Sequence, residues 1–499
     1  MEMIRGATVY PGDAPPRIVD VGVDGGKIAA VGGELSGDVV DAEGLLLCPG
    51  FIDVHAHSAL RSFEDPLLTE VLSQGITTQV ICPDGLGPAP VAPDRWAERR
   101  DYLRALEGPG PDEWPWTSLA EYHDALDETQ PAISFATSIG HGAVRDTVIG
   151  GERRPPTAAE LEEMRREVRA GFEAGATNLS FGLVYLPGAH AATDELVAVA
   201  QVAAEFGKPL VPHIRNEGEG LLGAVDEMLE VSRRSGASLH LSHLKSFGDE
   251  GLIEPLLEKI EGAGGVTFDQ YPYGAGCTLL ASLLPAWAQE GGAAATLARL
   301  RDPAAVARIA HDVEHGLPGW ENMLATAGPE QIVVDGQSIA DRNGEPVETV
   351  AELLLQSELG VQMIMHYASG EAVRKIAAHP LMLLGSDGIF GTWPHPRVAG
   401  SAARFLGLFA LREGLVSPEE AIARLTARAA DRFGLADRGR IEVGKRADLV
   451  LLDPATYVDT ATYEQPLRLA EGVLGVWVNG ERAWADGRPT GTRAGGVVR

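Results

Sequence analysis

The sequence predicts an α/β protein: one large barrel of parallel strands and helices, with β-structure at both chain ends and an inserted helical unit. Three observations lead there. Between about residues 49 and 430, short runs rich in Val, Ile and Leu alternate with stretches of helical spacing. TAAELEEMRREVRAGFEAG and LLGAVDEMLEVSRRSG are two such stretches, and each precedes a strand-like segment. That alternation implies βα units and a parallel sheet, whose strands are buried on both faces and read as continuous apolar runs. Five polar residues stand at or just past the ends of these runs: His55 and His57 in PGFIDVHAHSA, His213 in LVPHIRNEG, His243 in LHLSHLKSFG and Asp387 in LLGSDG. Strand ends are where barrels carry their functional side chains. Finally, both termini have a hairpin-like texture that the middle of the chain lacks.

In chain order, residues 1–48 read as short alternating strands with Gly and Asp turns, as in VDVGVDGGKIAAVGG. The texture returns in residues 431–499, in GRIEVGKRADLVLLDP and GVLGVWVNGERAWADGRP, so the two ends are expected to complete one small β-sandwich beside the barrel. Within the barrel segment, the rhythm breaks at about 280–337, where ASLLPAWAQEGGAAATLARL and DPAAVARIAHDVEHG add helices between two candidate strands. An inserted unit at this point either covers a site or decorates the surface.

Composition narrows the class. A chain of 499 residues with 45% hydrophobic content supports one large core with appendages. A formal net charge of −30 argues against nucleic acid and anionic membrane as partners, since both require basic surface. The N-terminus MEMIRGATVY lacks a basic stretch followed by an apolar one, and no uncharged apolar run approaches a membrane span. Three cysteines, Cys48, Cys82 and Cys277, are an odd and scattered set, so no disulfide framework is expected. A soluble cytoplasmic protein is the expectation, with homo-oligomerisation left open.

The five polar residues suit a metal site. Alternation along a strand points His55 and His57 to one face, where they can hold one ion together. A lone His-x-His also fits two hydrogen-bonded core histidines, but further strand-end ligands make a metal-lined wall the better reading.

Eight passages carry a family likeness: PGFIDVHAH, SIGHGAVRDTVIG, FGLVYLPGAHAATDEL, HIRNEGEGLLGAVDE, LSHLK, FDQYPYGAGCTLL, GSDGIFGTWPHPR and LTARAADRFGLADRGRIEVGKRADLVLLDP. Through them the chain resembles the amidohydrolase superfamily and, within it, the N-acyl-D-amino-acid deacylases (D-aminoacylases). RNEG, YPYGAG and PHPR together are the specific part. The resemblance implies a (β/α)8 barrel with a split β-sandwich and an insertion, holding one or two zinc ions and cleaving the acyl amide of a small N-acyl amino acid. D stereochemistry is wholly an inference from the family.

Amidohydrolases differ in what bridges their metals, and a carboxylated lysine is a common bridge. The chain has six lysines, and the only one between His57 and His213 is Lys208, in the same short segment as His213. The resembled deacylases instead use a cysteine after the second strand. Aligning GITTQVICPDGLGPAP on its TT and AP ends puts Asp84 at that position, with Cys82 two residues earlier. Three readings stand: Asp84 is a carboxylate ligand, Cys82 reaches the ion from a shifted loop, or neither binds. Without a role, Asp84 is a turn former and Cys82 a small buried residue.

In the mechanism this implies, His213 and His243, with the Cys82/Asp84 segment, hold the tighter zinc and His55 and His57 form a second or weaker site. Asp387 acts as general base toward water and then returns the proton to the leaving amine. Arg397 in PHPR is expected to grip the substrate carboxylate through two charge-assisted bonds, with Tyr271 as a second donor. Cys277 stands where the family has a serine, a weaker donor unless Thr278 substitutes. Lys245 falls near the substrate's side chain or else is solvated. Arg215 supports the ligands or pairs with Glu217 or another acid, His141 lines the site, and His366 supports it. His311, His315 and His379 read as solvated. Two other functions are weighed: a cyclic amidase of hydantoin or dihydroorotate type, disfavoured by the missing bridging lysine, and a non-catalytic binding protein on the same fold.

Overall fold

The computed structural model describes residues 1–33, 36–391 and 393–499. Thr392, inside the GSDGIFGTWPHPR passage, lies outside the described residues. Eight short strands form the barrel: β1 (Phe51–His57), β2 (Ile76–Ile81), β3 (Ser134–Gly140), β4 (Asn178–Gly182), β5 (Leu210–His213), β6 (His240–Leu241), β7 (Thr267–Gln270) and β8 (Met382–Leu384). Neighbours pair in parallel from β1 through β5, and from β6 through β8. A parallel bridge from Leu210 to Leu239 joins β5 to β6. The circle closes where Gly388–Ile389, just past β8, pairs in parallel with Ala56–His57 of β1. A closed barrel has no open edge, and its inward side chains make a packed core.

Helices cover the outside. The stretch TAAELEEMRREVRAGFEAG forms the helix Ala158–Glu173, opened by Thr157 and Glu160 in a reciprocal cap of its first backbone N–H groups. LLGAVDEMLEVSRRSG forms Leu221–Ser235 and ends at Gly236, whose φ of 81° suits a residue without a side chain.

Inside, Ile52, Val54, Val80, Ala136, Val211 and Leu383 pack together, and Ala429, Ala430, Phe433 and Leu435 close this end from the helix Ala427–Phe433 and the residues just after it. The opposite end is left for the site. One irregularity in β1 aims its side chains. Between Asp53 and Ala56 it holds one residue more than β2 holds between Gln79 and Ile81. Ile52 and Val54 therefore lie in the inner core, Ala56 and Ile81 pack outward among the helix contacts, and His55 and His57 turn into the mouth. A β-bulge beside a site does this by shifting the alternation by one.

Both termini build the flanking sandwich. One sheet runs Lys27–Val31, Val21–Asp24, Glu2–Arg5, Asp38–Asp41. The other interleaves the two chain ends, placing Leu449–Leu452 beside Leu46–Pro49 in antiparallel register. Ile4, Val21, Ile28, Leu47, Leu449 and Trp477 fill the space between them. The final strand leaves this module, and Gly496–Val497 pairs with Ser134–Phe135 of β3.

Between β7 and β8 the chain builds a separate antiparallel sheet, ordered Ala275–Leu279, Gln362–His366, Ile332–Val334, Gln337–Ser338. Four helices of five or more residues, Gly292–Leu300, Pro303–His315, Met323–Ala327 and Pro346–Gln356, join it around their own apolar cluster. The unit thus extends to either side of the helical stretch expected at 280–337, and it overhangs the barrel mouth.

Candidate metal centre

The strand-end residues converge. His55 and His57 end β1, Asp84 lies three residues past β2, His213 ends β5, His243 lies two past β6 and Asp387 three past β8. All are buried. Asp84, His243 and Asp387 take left-handed backbone conformations, with φ of 57°, 33° and 49°. Such strain persists where surrounding structure holds it, and here it turns each side chain inward off its strand.

Asp84 stands at the centre. Its Oδ2 is 3.6 Å from His55 Nε2, 3.4 Å from His57 Nε2 and 3.7 Å from His213 Nδ1, and its Oδ1 is 3.6 Å from His243 Nε2. Asp387 Oδ1 lies 3.6 Å from His55 Nε2 and 3.3 Å from His57 Nε2. Two groups result, His55–His57–Asp84–Asp387 and Asp84–His213–His243, which share Asp84 and whose ligand atoms lie within 4.8 Å of one another. Two ligand atoms each about 2.1 Å from one tetrahedral ion are about 3.4 Å apart. Four of these separations, at 3.6–3.7 Å, exceed hydrogen-bond length, and all six suit a cation between them. Both ring nitrogens of His55 and of His213, and Asp84 Oδ1, are buried with no hydrogen-bond partner, the condition an ion relieves. The residues therefore fit a divalent metal.

The loop carrying Asp84 is pinned to β4. Ser180 Oγ donates to Cys82 O at 3.0 Å and accepts from Gly85 N–H at 3.1 Å. Gly182 is required opposite it, since a Cβ there would fall 1.8 Å from Asp84 O. Cys82 does not join the cluster: it is buried in the outer core, its Sγ beside Gly87, and burial pushes its thiol well above the usual value.

Carboxylates behind the histidines orient them. Glu107, at the end of the helix Trp96–Glu107, takes His57 Nδ1 at 2.8 Å and the Ala59 N–H at 2.9 Å. Asp269 of β7 accepts from His243 N–H at 2.9 Å and meets His240 Nε2 at 3.1 Å and His55 Nδ1 at 3.6 Å. Glu217 approaches His243 Nδ1 at 3.1 Å. A carboxylate hydrogen-bonded to the outer nitrogen fixes an imidazole's tautomer and raises its basicity, as Glu107 does for His57. None of the three acids was singled out from the sequence for this role. Their only local signal is position: one stands within the RNEG passage, one beside YPYG and one at the end of a helix.

The remaining site residues divide. Tyr271, Cys277 and Lys245 line the small cavity at the mouth, together with Tyr185, Thr278, Met323 and Met365. Tyr185 donates to or accepts from Thr278 at 3.0 Å and packs edge-on to His213. Arg397 lies deeper: Nη1 is 2.9 Å from Asp387 Oδ2, Nη2 donates to Cys277 O at 2.9 Å, and Nε has no partner. Its guanidinium stacks over Tyr271. Burial alone raises Asp387, but Arg397 and the histidines outweigh it and hold the carboxyl well below its usual range. Lys245 is buried rather than solvated, its Nζ 2.8 Å from Glu217 Oε1 and 2.7 Å from His243 Nδ1.

Several expectations are corrected. Arg215 is not among these: of its two expected roles it takes the pairing one, with Glu227 at 3.0 Å as the other acid, while Glu217 pairs with Lys245. His141 faces Glu195 at 2.9 Å and Phe181 in a buried cluster away from the cavity. His379 is buried against Phe268 and Glu261, whereas His311 and His315 are exposed. His366 lines a second cavity beside the first.

A closed parallel barrel with a ring of histidines and carboxylates at its strand ends defines a metal-binding barrel enzyme. Residues 38–483 match the model of the amidohydrolase family, and the chain belongs to that family. An N-acyl-D-glutamate deacylase from Alcaligenes xylosoxydans xylosoxydans is 34% identical over 510 residues, covering 100% of this chain and 96% of the relative. The crystal structure of an N-acyl-D-glutamate deacylase from Bordetella bronchiseptica, complexed with zinc and a phosphonate inhibitor that mimics the tetrahedral intermediate, is 32% identical with a TM-score of 0.84, covering 100% of this chain and 99% of that one. A D-aminoacylase structure described by its binuclear metal centre is 30% identical with a TM-score of 0.82, at the same coverage.

Proposed function

We propose that the protein is a zinc-dependent amidohydrolase that removes the acyl group from N-acyl-D-amino acids. The observation that carries the reading is the set of carboxylate–imidazole separations of 3.3–3.7 Å around buried, unpartnered ligand atoms. The deacylase relatives support the substrate class. His55, His57, Asp84, His213 and His243 hold the metal, with Asp84 shared between the two groups, and Cys82 takes no part. Zinc bound there supplies a Lewis acid that polarises the amide carbonyl and brings the pKa of water to about 7.

The chain's own side chains do the rest. Asp387 takes the proton from the attacking water through Oδ1 and delivers it to the departing amine nitrogen. Its other oxygen rests on Arg397, which keeps the carboxylate ionised and aimed. Tyr271 and Lys245 line the cavity, while Arg397 stacks on Tyr271 behind its wall with Nη1 and Nη2 engaged, so the two-bond grip on a substrate carboxylate expected of it is reduced to the unpartnered Nε. Cys277 supplies its backbone oxygen to Arg397, and burial pushes its thiol up to about 11, so it contributes little as a donor. The hydantoinase reading is weaker, because Asp84 is the residue common to both groups of ligand atoms and, among the described residues, the one lysine lining the cavity is tied to Glu217. Sheet membership supports residues 1–48 and 431–499, apart from the strand Gly496–Val497, as the sandwich and 49–430 as the barrel. No helix among the described residues is long and apolar enough to cross a membrane, and with three unpaired cysteines and an acidic surface a cytoplasmic enzyme is the reading we favour.

The test is a panel of N-acetyl-D-amino acids, their L counterparts and hydantoin, run with metal analysis. Zinc-dependent turnover of the D series is expected. Hydantoin turnover, or a metal-free inert protein, would overturn the proposal.

A further inference from the structure

Beside the metal centre lies a second cavity of about 330 Å³, which shares Phe247, Met323 and Met365 with the first. That volume falls within the range of small-ligand pockets, about 300–1,000 Å³. Ala327 and Tyr367 extend its apolar wall, and Glu321 stands on it. Glu321 belongs to the inserted unit and is 8% exposed. One of its oxygens accepts from Glu217 N–H, while Oε2 is buried with no hydrogen-bond partner.

The charges do not balance. Among the described residues, Lys245 is the one Lys or Arg lining either cavity. It is already taken, with Nζ 2.8 Å from Glu217 Oε1 and 2.7 Å from His243 Nδ1. Two carboxyls thus meet one ammonium. Burial and the neighbouring Glu217 push the Glu321 carboxyl up to about 8, as expected for a carboxylate that lacks a cation of its own. A ligand ammonium or guanidinium would supply that cation through a charge-assisted bond, with its aliphatic stem against the methionines and Phe247. A ligand cation would draw the proton off Glu321 and pair with the carboxylate, whereas a ligand carboxylate would find no free cation in this desolvated place.

We infer that this cavity receives the side chain of the acylated amino acid, and that Glu321 makes it select a side chain apolar along its stem and cationic at its end, such as lysine or arginine, and reject an acidic one. The inference rests on the deacylase reading above.

The experiment measures kcat/KM of the zinc-loaded full chain for N-acetyl-D-lysine, N-acetyl-D-methionine and N-acetyl-D-glutamate, in wild type and Glu321→Gln. The variant keeps an oxygen for the Glu217 N–H. Wild type should favour lysine over glutamate by about tenfold or more, and the variant should cut the lysine-to-methionine ratio by about tenfold or more. A wild type that prefers glutamate, or a ratio unmoved by the substitution, overturns the inference while leaving the deacylase reading intact. If the variant does not accumulate, the wild-type ranking alone decides. Failure to turn over all three overturns both.

Discussion

Asp387→Asn separates what Asp387 does for chemistry from what it does for the fold. The carboxamide keeps the shape but cannot accept a proton at neutral pH. General base work is worth about 10²–10⁴-fold, which at about 1.4 kcal/mol per decade is about 3–5 kcal/mol of barrier. A second cost follows from geometry. Arg397 is fully buried with Nη1 2.9 Å from Asp387 Oδ2, and the substitution leaves that guanidinium facing a neutral group. Removing one partner of a buried pair costs about 3–5 kcal/mol of stability, and the amide oxygen recovers part of it. The variant should therefore melt earlier yet retain zinc, because the histidines and Asp84 remain. Single-turnover hydrolysis of the best N-acetyl-D-amino acid, metal content and urea midpoint read the three effects independently. A folded, zinc-loaded Asp387→Asn enzyme within tenfold of wild type would refute the proton-transfer assignment.

Asp84→Ala should lose bound metal on gel filtration, whereas Cys82→Ala should keep it; metal analysis of both decides between carboxylate and thiolate, and the opposite pattern would reverse the assignment. Glu107→Gln replaces the carboxylate behind His57, at 2.8 Å, by a neutral amide and should weaken the retained metal by about 10–100-fold in chelator competition; unchanged affinity would make Glu107 merely structural. Away from the site, burial holds His123 at about 4, below its ordinary 6.5, so folding excludes its proton. The unfolded chain binds more protons between those values, hence stability is full above pH 6.5 and falls as pH drops toward 4, by about 3 kcal/mol in all. Urea midpoints across that window should slope in wild type and flatten in His123→Gln; equal slopes would show that other groups carry the acid sensitivity.

Much of the architecture is legible because it repeats locally. Buried parallel strands must be apolar and helices must carry a stripe, so alternating textures and cap residues such as Thr157 and Glu160 mark the elements. The inserted unit is visible only in part. Its helices are amphipathic, but its strands, Ala275–Leu279 and Gln362–His366, are 83 residues apart from the end of one to the start of the next and become a sheet only by pairing.

The site divides the same way. His55, His57, His213, His243 and Asp387 can be picked out because strand ends announce themselves and few other reasons exist for such residues there. Between Asp84 and Cys82 the sequence is silent: both follow one strand, two residues apart, and alternation treats them alike. Ser180 and Gly182 of β4, about a hundred residues away, fix which of them turns inward. The acids behind the histidines are hidden for the same reason, since an ordinary Glu at a helix end becomes a ligand's support only when the helix is docked.

The order of apolar runs along the chain by itself determined a barrel with histidines at its strand ends, because burial and alternation act between near neighbours. Tertiary structure alone decided the extra residue in β1 that aims His55 and His57, the choice of Asp84, and the placing of Glu107, Asp269, Glu217 and Glu321 around the centre. Those outcomes depend on closing the barrel, which brings carboxylates from distant segments within hydrogen-bond reach, and no local pattern carries that distance.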